Sequence, residues 1–291
     1  MRNDALIADL AACASPETLI AAILHHHQQW QAPVEPEALA RSVGILAFRD
    51  LEGEGVASAL LADIDKTEGI ILCAPGMAVR RRRFAIVHQL GHFLLRAHRG
   101  DRRCTGRDLG EARRDTAHRK EEMQANRFAA GLLMPKPWFN AFVERLGKPT
   151  VAHLPTIADH YAVTLEVAVS RYADLAQAMC AFIFVKDGVL RYARPSRSFP
   201  PLSIRAGAPA PAAILAARPT DRITWAPADV RDWLALSRDV RTPKLTMQVA
   251  SKANGFQLVM LFINAAAERR ADEEAEKFAA ERPKFGDGRR G

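Results

Sequence analysis

Residues 80–98 read RRRRFAIVHQLGHFLLRAH, and His88 and His92 stand four apart within them. On an α-helix that spacing puts both imidazoles on one face, about 6 Å apart, where a single metal ion can take both. In helical zinc sites that hydrolyse peptide bonds, a Glu follows the first His. It accepts a proton from the attacking water and passes it to the leaving amine. Here that position holds Gln89. An amide hydrogen-bonds water but does not take its proton at neutral pH, and losing a general base costs about 10²- to 10⁴-fold in rate.

Catalytic zinc sites of this type use two His and one Glu and leave a fourth position open. The third donor is expected on EEMQANRFAAGLLM, residues 121–134, which reads as a second helix with Ala125, Phe128, Ala129 and Leu132 packed inward. Glu122 and Asn126 then share the neighbouring face, which favours Glu122 as the ligand and leaves Glu121 as its rival. Asn is a poor helix former in mid-helix, so Asn126 is expected to orient Glu122.

The elements that position these groups follow from periodicity and turn chemistry. ETLIAAILHHHQQW (17–30) reads as a helix, and its three consecutive histidines, His25 to His27, point in three directions and make a poor metal site. A short helix at PVEPEALARSVG ends at Gly44. Strands are expected at 45–50, 57–65 and 69–73, with short spacers that suggest a three-stranded antiparallel sheet. Phe84, Val87, Leu90 or Gly91, and Leu94 step by three and four through the histidine helix. The charged segment from 96 to 119 reads as a mobile loop or an only partly helical stretch, and Pro135 and Pro137 stop the second helix. LPTIADHYAVTLEVAVSRYADL (154–175) outlines two short helices joined at YAVT, with Thr164 as a cap. AFIFVKDGVLRYAR is a hairpin turning at Asp187-Gly188. Then come a Pro-rich stretch, a Trp-containing helix near PADVRDWLAL, an apolar strand at 255–263 and a charged tail.

RRRRFAIVHQLGHFLL followed by EEMQANRFAAGLLMP resembles the ImmA/IrrE family of zinc metallo-endopeptidases. Its pattern is R-x-R-F-x-x-A-H-E-x-G-H and then E-x-x-A-N-x-F-A-x-x-L-L-M-P. The resemblance spans residues 40–137 and more loosely takes in the helix pair and the C-terminal region. It implies zinc on His88, His92 and Glu122, and it resolves Glu122 over Glu121 because Glu122 stands three before Ala125-Asn126. It also implies a protein substrate, a helix-turn-helix repressor of phage, mobile-element or stress-response genes. Two positions depart from the pattern: Val87 replaces a small residue, and Gln89 replaces the catalytic Glu. By natural change or by a deliberate exchange, Gln89 leaves the chain inactive or impaired.

The resulting expectation is an α+β chain of three parts. A zincin-like peptidase domain occupies 1–150, a helix-turn-helix-like segment 151–178, and a C-terminal α+β domain with the charged tail 179–291. With 291 residues and 48% hydrophobic content the chain is long enough for about two cores. No apolar run reaches the ~20 residues of a membrane span, and the N-terminus carries acids where a signal peptide needs a basic and then apolar run. A cytoplasmic protein is expected. Cys13, Cys73, Cys104 and Cys180 lack the spacing of a zinc knuckle and read as reduced.

Two other functions deserve weighing: a DNA-binding regulator, and a zinc-binding partner that holds a repressor without cutting it. The would-be recognition helix TLEVAVSRYADL has one Arg and two acids, too few groups to read base edges, which argues against the first. Gln89 favours the second. His98, His118 and Tyr161 are candidates to stabilise an oxyanion. Residues 80–127 hold fourteen Arg and Lys against six Asp and Glu, which accounts for the whole net charge of +8. That surplus predicts an acidic patch on the partner. Charge reversal at Arg102 and Arg103 is expected to slow association, as read by stopped-flow mixing at two salt concentrations; unchanged rates refute the steering role.

Overall fold

A computed structural model describes residues 2–52, 55–98, 102–105, 117–217, 223–236 and 242–264, with positions 266, 269, 270 and 273; at 102–105 and 117 it describes the backbone. The chain divides into two compact units. One comprises Met1–Gly147 with His153–Arg171, and the other comprises Lys148–Ala152 with Tyr172–Gly291.

The first unit opens with α1 (Asp4–Ala11), which the sequence reading had not assigned. Asn3 caps it, its side-chain oxygen accepting from the Leu6 amide. In α2 (Pro16–His26), Ser15 and Thr18 form a capping box. His26 pairs with Asp9 at 2.6 Å, while His27 stacks on Trp30 with ring centroids 3.9 Å apart. These histidines go to separate packing roles.

After α3 (Pro36–Ser42) come β1 (Ile45–Asp50), β2 (Val56–Ala62), β3 (Gly69–Cys73) and β4 (Arg102–Thr105), in the order β1-β3-β2-β4. The expectation of a purely antiparallel three-stranded sheet fails in two ways. β3 pairs antiparallel with β2 but parallel with β1, because it slots between them. Short spacers make consecutive strands alternate in direction but do not decide which strands become neighbours. A fourth strand comes from the segment read as a loop and pairs with β2.

α4 (Val79–Leu94) is buried at every position from Phe84 to Phe93, as a helix enclosed on all sides must be. It packs against β2, β3 and α5 (Ala117–Leu133). Gly91 sets the distance to α5: a Cβ there would lie 3.0 Å from the Phe128 ring and 3.3 Å from the Ala125 Cα. Four arginines at the positive end of α4 would oppose its dipole. Three of them are anchors instead: Arg80 pairs with Asp159 at 2.7 Å, Arg82 with Glu37, and Arg83 donates to the Val34 carbonyl. At the other end, Lys66 in the β2–β3 turn donates to the carbonyls of His92 (2.8 Å) and Leu95 (2.7 Å). Its left-handed backbone (φ 51°) costs about 1–2 kcal/mol, which two charge-assisted bonds at a helix C-terminus offset.

Pro135 and Pro137 do more than stop a helix. They sit at the start of a new one, α6 (Lys136–Leu146), where a missing N–H is harmless. α7 (His153–His160) and α8 (Leu165–Leu175) follow, and the Thr164 hydroxyl caps α8 by accepting from the Val167 amide.

The second unit is built on a five-stranded antiparallel sheet in the order β6-β5-β9-β8-β7. Its strands are β5 (Met179–Lys186), β6 (Val189–Pro195), β7 (Ala226–Pro227), β8 (Leu245–Ser251) and β9 (Phe256–Ile263). Asp187 and Gly188, both at positive φ, make the hairpin turn. Ile183, Val185, Val259, Leu261 and Trp233 fill one core beneath the sheet, closed by the short helices α9 (Ala212–Leu215) and α10 (Val230–Trp233). Cys13, Cys73 and Cys180 are free thiols. No helix among the described residues is long and apolar enough to cross a membrane. Most of the charged tail and of the 96–119 segment lies outside the described residues.

The tight crossing of α4 over α5 is testable. Gly91→Val should lower unfolding free energy by about 1–3 kcal/mol through overpacking, whereas Met123→Ala on the exposed face of α5 should stay within about 0.5 kcal/mol of the parent, both read by denaturant titration.

Candidate metal centre

His88 and His92 lie one turn apart on α4, and α5 carries Glu122 against them. All three side chains are shut off from solvent. Their donor atoms lie close together: His88 Nε2 is 3.1 Å from His92 Nε2 and 3.1 Å from Glu122 Oε2, and His92 Nε2 is 3.3 Å from Glu122 Oε1. A four-coordinate metal with bonds of about 2.0–2.1 Å holds its donors roughly 3.3 Å apart. These contacts, two of them made by different oxygens of the Glu122 carboxylate, are close to that figure, and one donor atom from each residue lies within 4.8 Å of the others. Among the described residues this is the one group of three or more His, Cys, Asp or Glu placed to hold an ion. Glu121, the rival from the sequence, is not in it.

Protonation suits a cation. Burial pushes the His92 imidazole down to about 4, so the ring is neutral at pH 7. Burial also works against the Glu122 carboxylate, but its side-chain and charge interactions with His88 and His92 outweigh it and hold Glu122 well below the usual carboxylate range. The set therefore includes a neutral imidazole at His92 and a carboxylate at Glu122, the forms in which these groups bind metals.

The surrounding amides complete the frame. Asn126 Oδ1 lies 3.0 Å from His88 Nδ1 and accepts a hydrogen bond from it, so this amide, expected to orient Glu122, serves His88. Gln89 is buried, and its Nε2 donates to Ser58 Oγ on β2 at 2.9 Å. The other end of the same amide, Oε1, has no hydrogen-bond partner among the described residues. An orphaned acceptor beside the cluster is the kind of group a water or a substrate N–H satisfies.

Of the three oxyanion candidates, His118 places Nδ1 3.8 Å from Glu122 Oε1, with its side chain half exposed. His98 is buried and bonds to His92, with Nδ1 atoms 2.9 Å apart, which gives it a supporting role. Tyr161 packs in an aromatic cluster with Phe139, Phe142 and His160, and burial pushes its phenol up to about 12. Sequence reading missed Ser58, Gln124 and Lys66. A lone polar residue inside the apolar strand VASALLA was a usable signal for Ser58. Nothing local marks Gln124 or Lys66.

Residues 40–172 match the family model Peptidase_M78, described as the IrrE N-terminal-like domain. Among solved structures the chain is similar to a Mycobacterium tuberculosis transcriptional regulator, at 14% identity and a TM-score of 0.51 over 92% of this chain and 91% of that one, a likeness of fold. No curated protein sequence matches the chain. A metallopeptidase family implies a metal, and the His88, His92 and Glu122 cluster offers the donors for one. The match runs from β1 into α8 and takes in both helices that carry the cluster: residues 40–172 form an IrrE N-terminal-like domain of the Peptidase_M78 type, zincin-like in fold.

Proposed function

We propose that the chain is a cytoplasmic zinc protein of the metallo-endopeptidase type, with His88, His92 and Glu122 as ligands and Gln89 at the general-base position. The observation that carries this reading is the convergence of three buried donor side chains, with contacts of 3.1–3.3 Å between the two imidazoles and the two carboxylate oxygens. Bound there, zinc supplies Lewis acidity, activating a water and polarising a scissile carbonyl. The protein holds the His92 imidazole neutral, keeps the Glu122 carboxylate ionised and excludes bulk water. Gln89 orients a water through Oε1 but accepts no proton, so cleavage by this chain is absent or slowed by about 10²- to 10⁴-fold relative to a Glu at the same place.

The proposed target is a helix-turn-helix repressor of stress, phage or mobile-element genes, which would make the protein a transcription regulator acting through another protein. A second reading is favoured by Gln89: a zinc-holding partner that binds a repressor and leaves it whole. Direct DNA binding is disfavoured because Arg171, the one arginine of α8, donates to the Met134 carbonyl at 3.0 Å.

Metal content tests the ligand set. Dialysed against zinc, the full chain should hold one ion, and His88→Ala, His92→Ala and Glu122→Ala should each lose it; retention by all three refutes the assignment. The pH dependence has a definite sign. Since the folded His92 titrates near 4 and the free side chain near 6.5, the unfolded chain binds more protons between those values. Apo stability should therefore fall as the pH drops through that window, and the depressed Glu122 adds in the same direction. His92→Leu should flatten the loss in denaturation curves taken at pH 7 and pH 5.

Cleavage separates the two functions. The chain and Gln89→Glu, both zinc-loaded, are incubated with the helix-turn-helix repressor encoded nearest to it. Cleavage by the variant alone supports a peptidase lacking its base. If both bind the repressor and neither cuts, the binding reading stands in its place.

A further inference from the structure

We infer that His98 and Gln124 are positioning residues of the metal centre, a two-member relay that fixes the tautomer of His92 and presents its bare Nε2 to the ion. The inference rests on the reading of His88, His92 and Glu122 as ligands.

The argument starts from an atom with one possible role. Gln124 Oε1 has lone pairs and no proton, and it lies 2.9 Å from His98 Nε2. That nitrogen must therefore carry the hydrogen. A neutral imidazole protonated at Nε2 has a bare Nδ1, which can only accept. The atom facing it at 2.9 Å is His92 Nδ1, which must then be the donor. A His92 ring with its hydrogen on Nδ1 has an unprotonated Nε2. That is the atom 3.1 Å from His88 Nε2 and 3.3 Å from Glu122 Oε1.

The same rule acts on the other histidine without an intermediary, since Asn126 Oδ1 accepts from His88 Nδ1 and leaves Nε2 bare. The difference follows from helix geometry. Asn126 stands four residues after Glu122, on the same face of α5, so its short side chain meets His88 directly. Gln124 is two residues from Glu122, roughly 200° around the helix. Its amide needs a bridge to reach the site, and His98, in the turn that follows α4, provides one. His98 is 3% exposed, so water does not compete for the relay. One helix thus supplies a ligand and the acceptors that set both ligand tautomers. Were the Gln124 amide reversed, every role would invert, and His92 would point an N–H at the metal position.

Long-range ¹H–¹⁵N spectra of the uniformly labelled, zinc-loaded full chain at neutral pH read the tautomers directly. His98 is expected as the Nε2–H form and His92 as the Nδ1–H form; His98 as the Nδ1–H form overturns the relay. Zinc affinity is then measured by chelator competition. Gln124→Leu should weaken binding about 10- to 100-fold, and Gln124→Glu, which keeps an acceptor in place, should bind as the parent does. If the parent binds zinc and Gln124→Leu binds it equally well, the relay fails while the metal site survives. If the parent binds no zinc at all, the metal reading itself falls, and this inference with it.

Discussion

A carboxylate with no access to water is the constraint on which the first unit turns. Removing Glu122 from solvent costs several kcal/mol unless charge or hydrogen bonds replace the lost hydration. Two imidazoles on α4 supply the nearest replacement, and they can do so only if α4 and α5 lie almost in backbone contact. Gly91 against Phe128 and Ala125 allows that approach. The apolar face of α5, with Ala125, Phe128, Ala129 and Leu132 all buried, then holds the second helix at this distance by packing, leaving Glu122 no other place to go.

The same constraint explains why the outer parts of α4 are tied down. Contacts of 3.1–3.3 Å between the two imidazoles and the Glu122 carboxylate tolerate little sliding of one helix along the other. Arg80, Arg82 and Arg83 fix the start of α4 to acids and a carbonyl on neighbouring segments, and Lys66 fixes its end through two carbonyls, one belonging to His92 itself. The run of four arginines, which reads in the sequence as a basic surface, is in large part internal bracing. The charge remains, but three of the four side chains have partners.

What was legible in the sequence is what local rules govern. The i, i+4 spacing of His88 and His92 survives any packing because it is a property of one helix. Asp187-Gly188 specifies its turn with its own backbone preferences, and Thr164 caps α8 from the position its side chain dictates. What stayed hidden depends on distant partners. The parallel pairing of β1 with β3 is decided by where β3 finds room, not by the spacers. Asn126 was placed on the correct face of α5, yet its partner depended on how α4 crosses that face, and it proved to be His88. Ser58 is 31 residues from Gln89, Lys66 is 26 from His92, and His98 is 26 from Gln124, so no window of one helix or strand contains either member with its partner. The family motifs carried part of this information, since they span both helices at once.

Gln89 is where local chemistry and fold part company. Glu and Gln are nearly the same shape, so the exchange leaves no cavity and forces no repacking in a buried helix. It does change the hydrogen-bond roles. As an amide, the side chain donates from Nε2 to Ser58 Oγ and keeps an acceptor, Oε1, free of protein partners among the described residues. As a carboxylate it would have only acceptors, and the Ser58 hydroxyl would turn to donate, which a hydroxyl does without moving its oxygen. Strand β2 therefore accommodates either side chain, and the scaffold exerts little pressure for or against the substitution. What the exchange changes is proton chemistry: an amide at position 89 keeps the shape and one acceptor of a carboxylate but takes no proton at neutral pH.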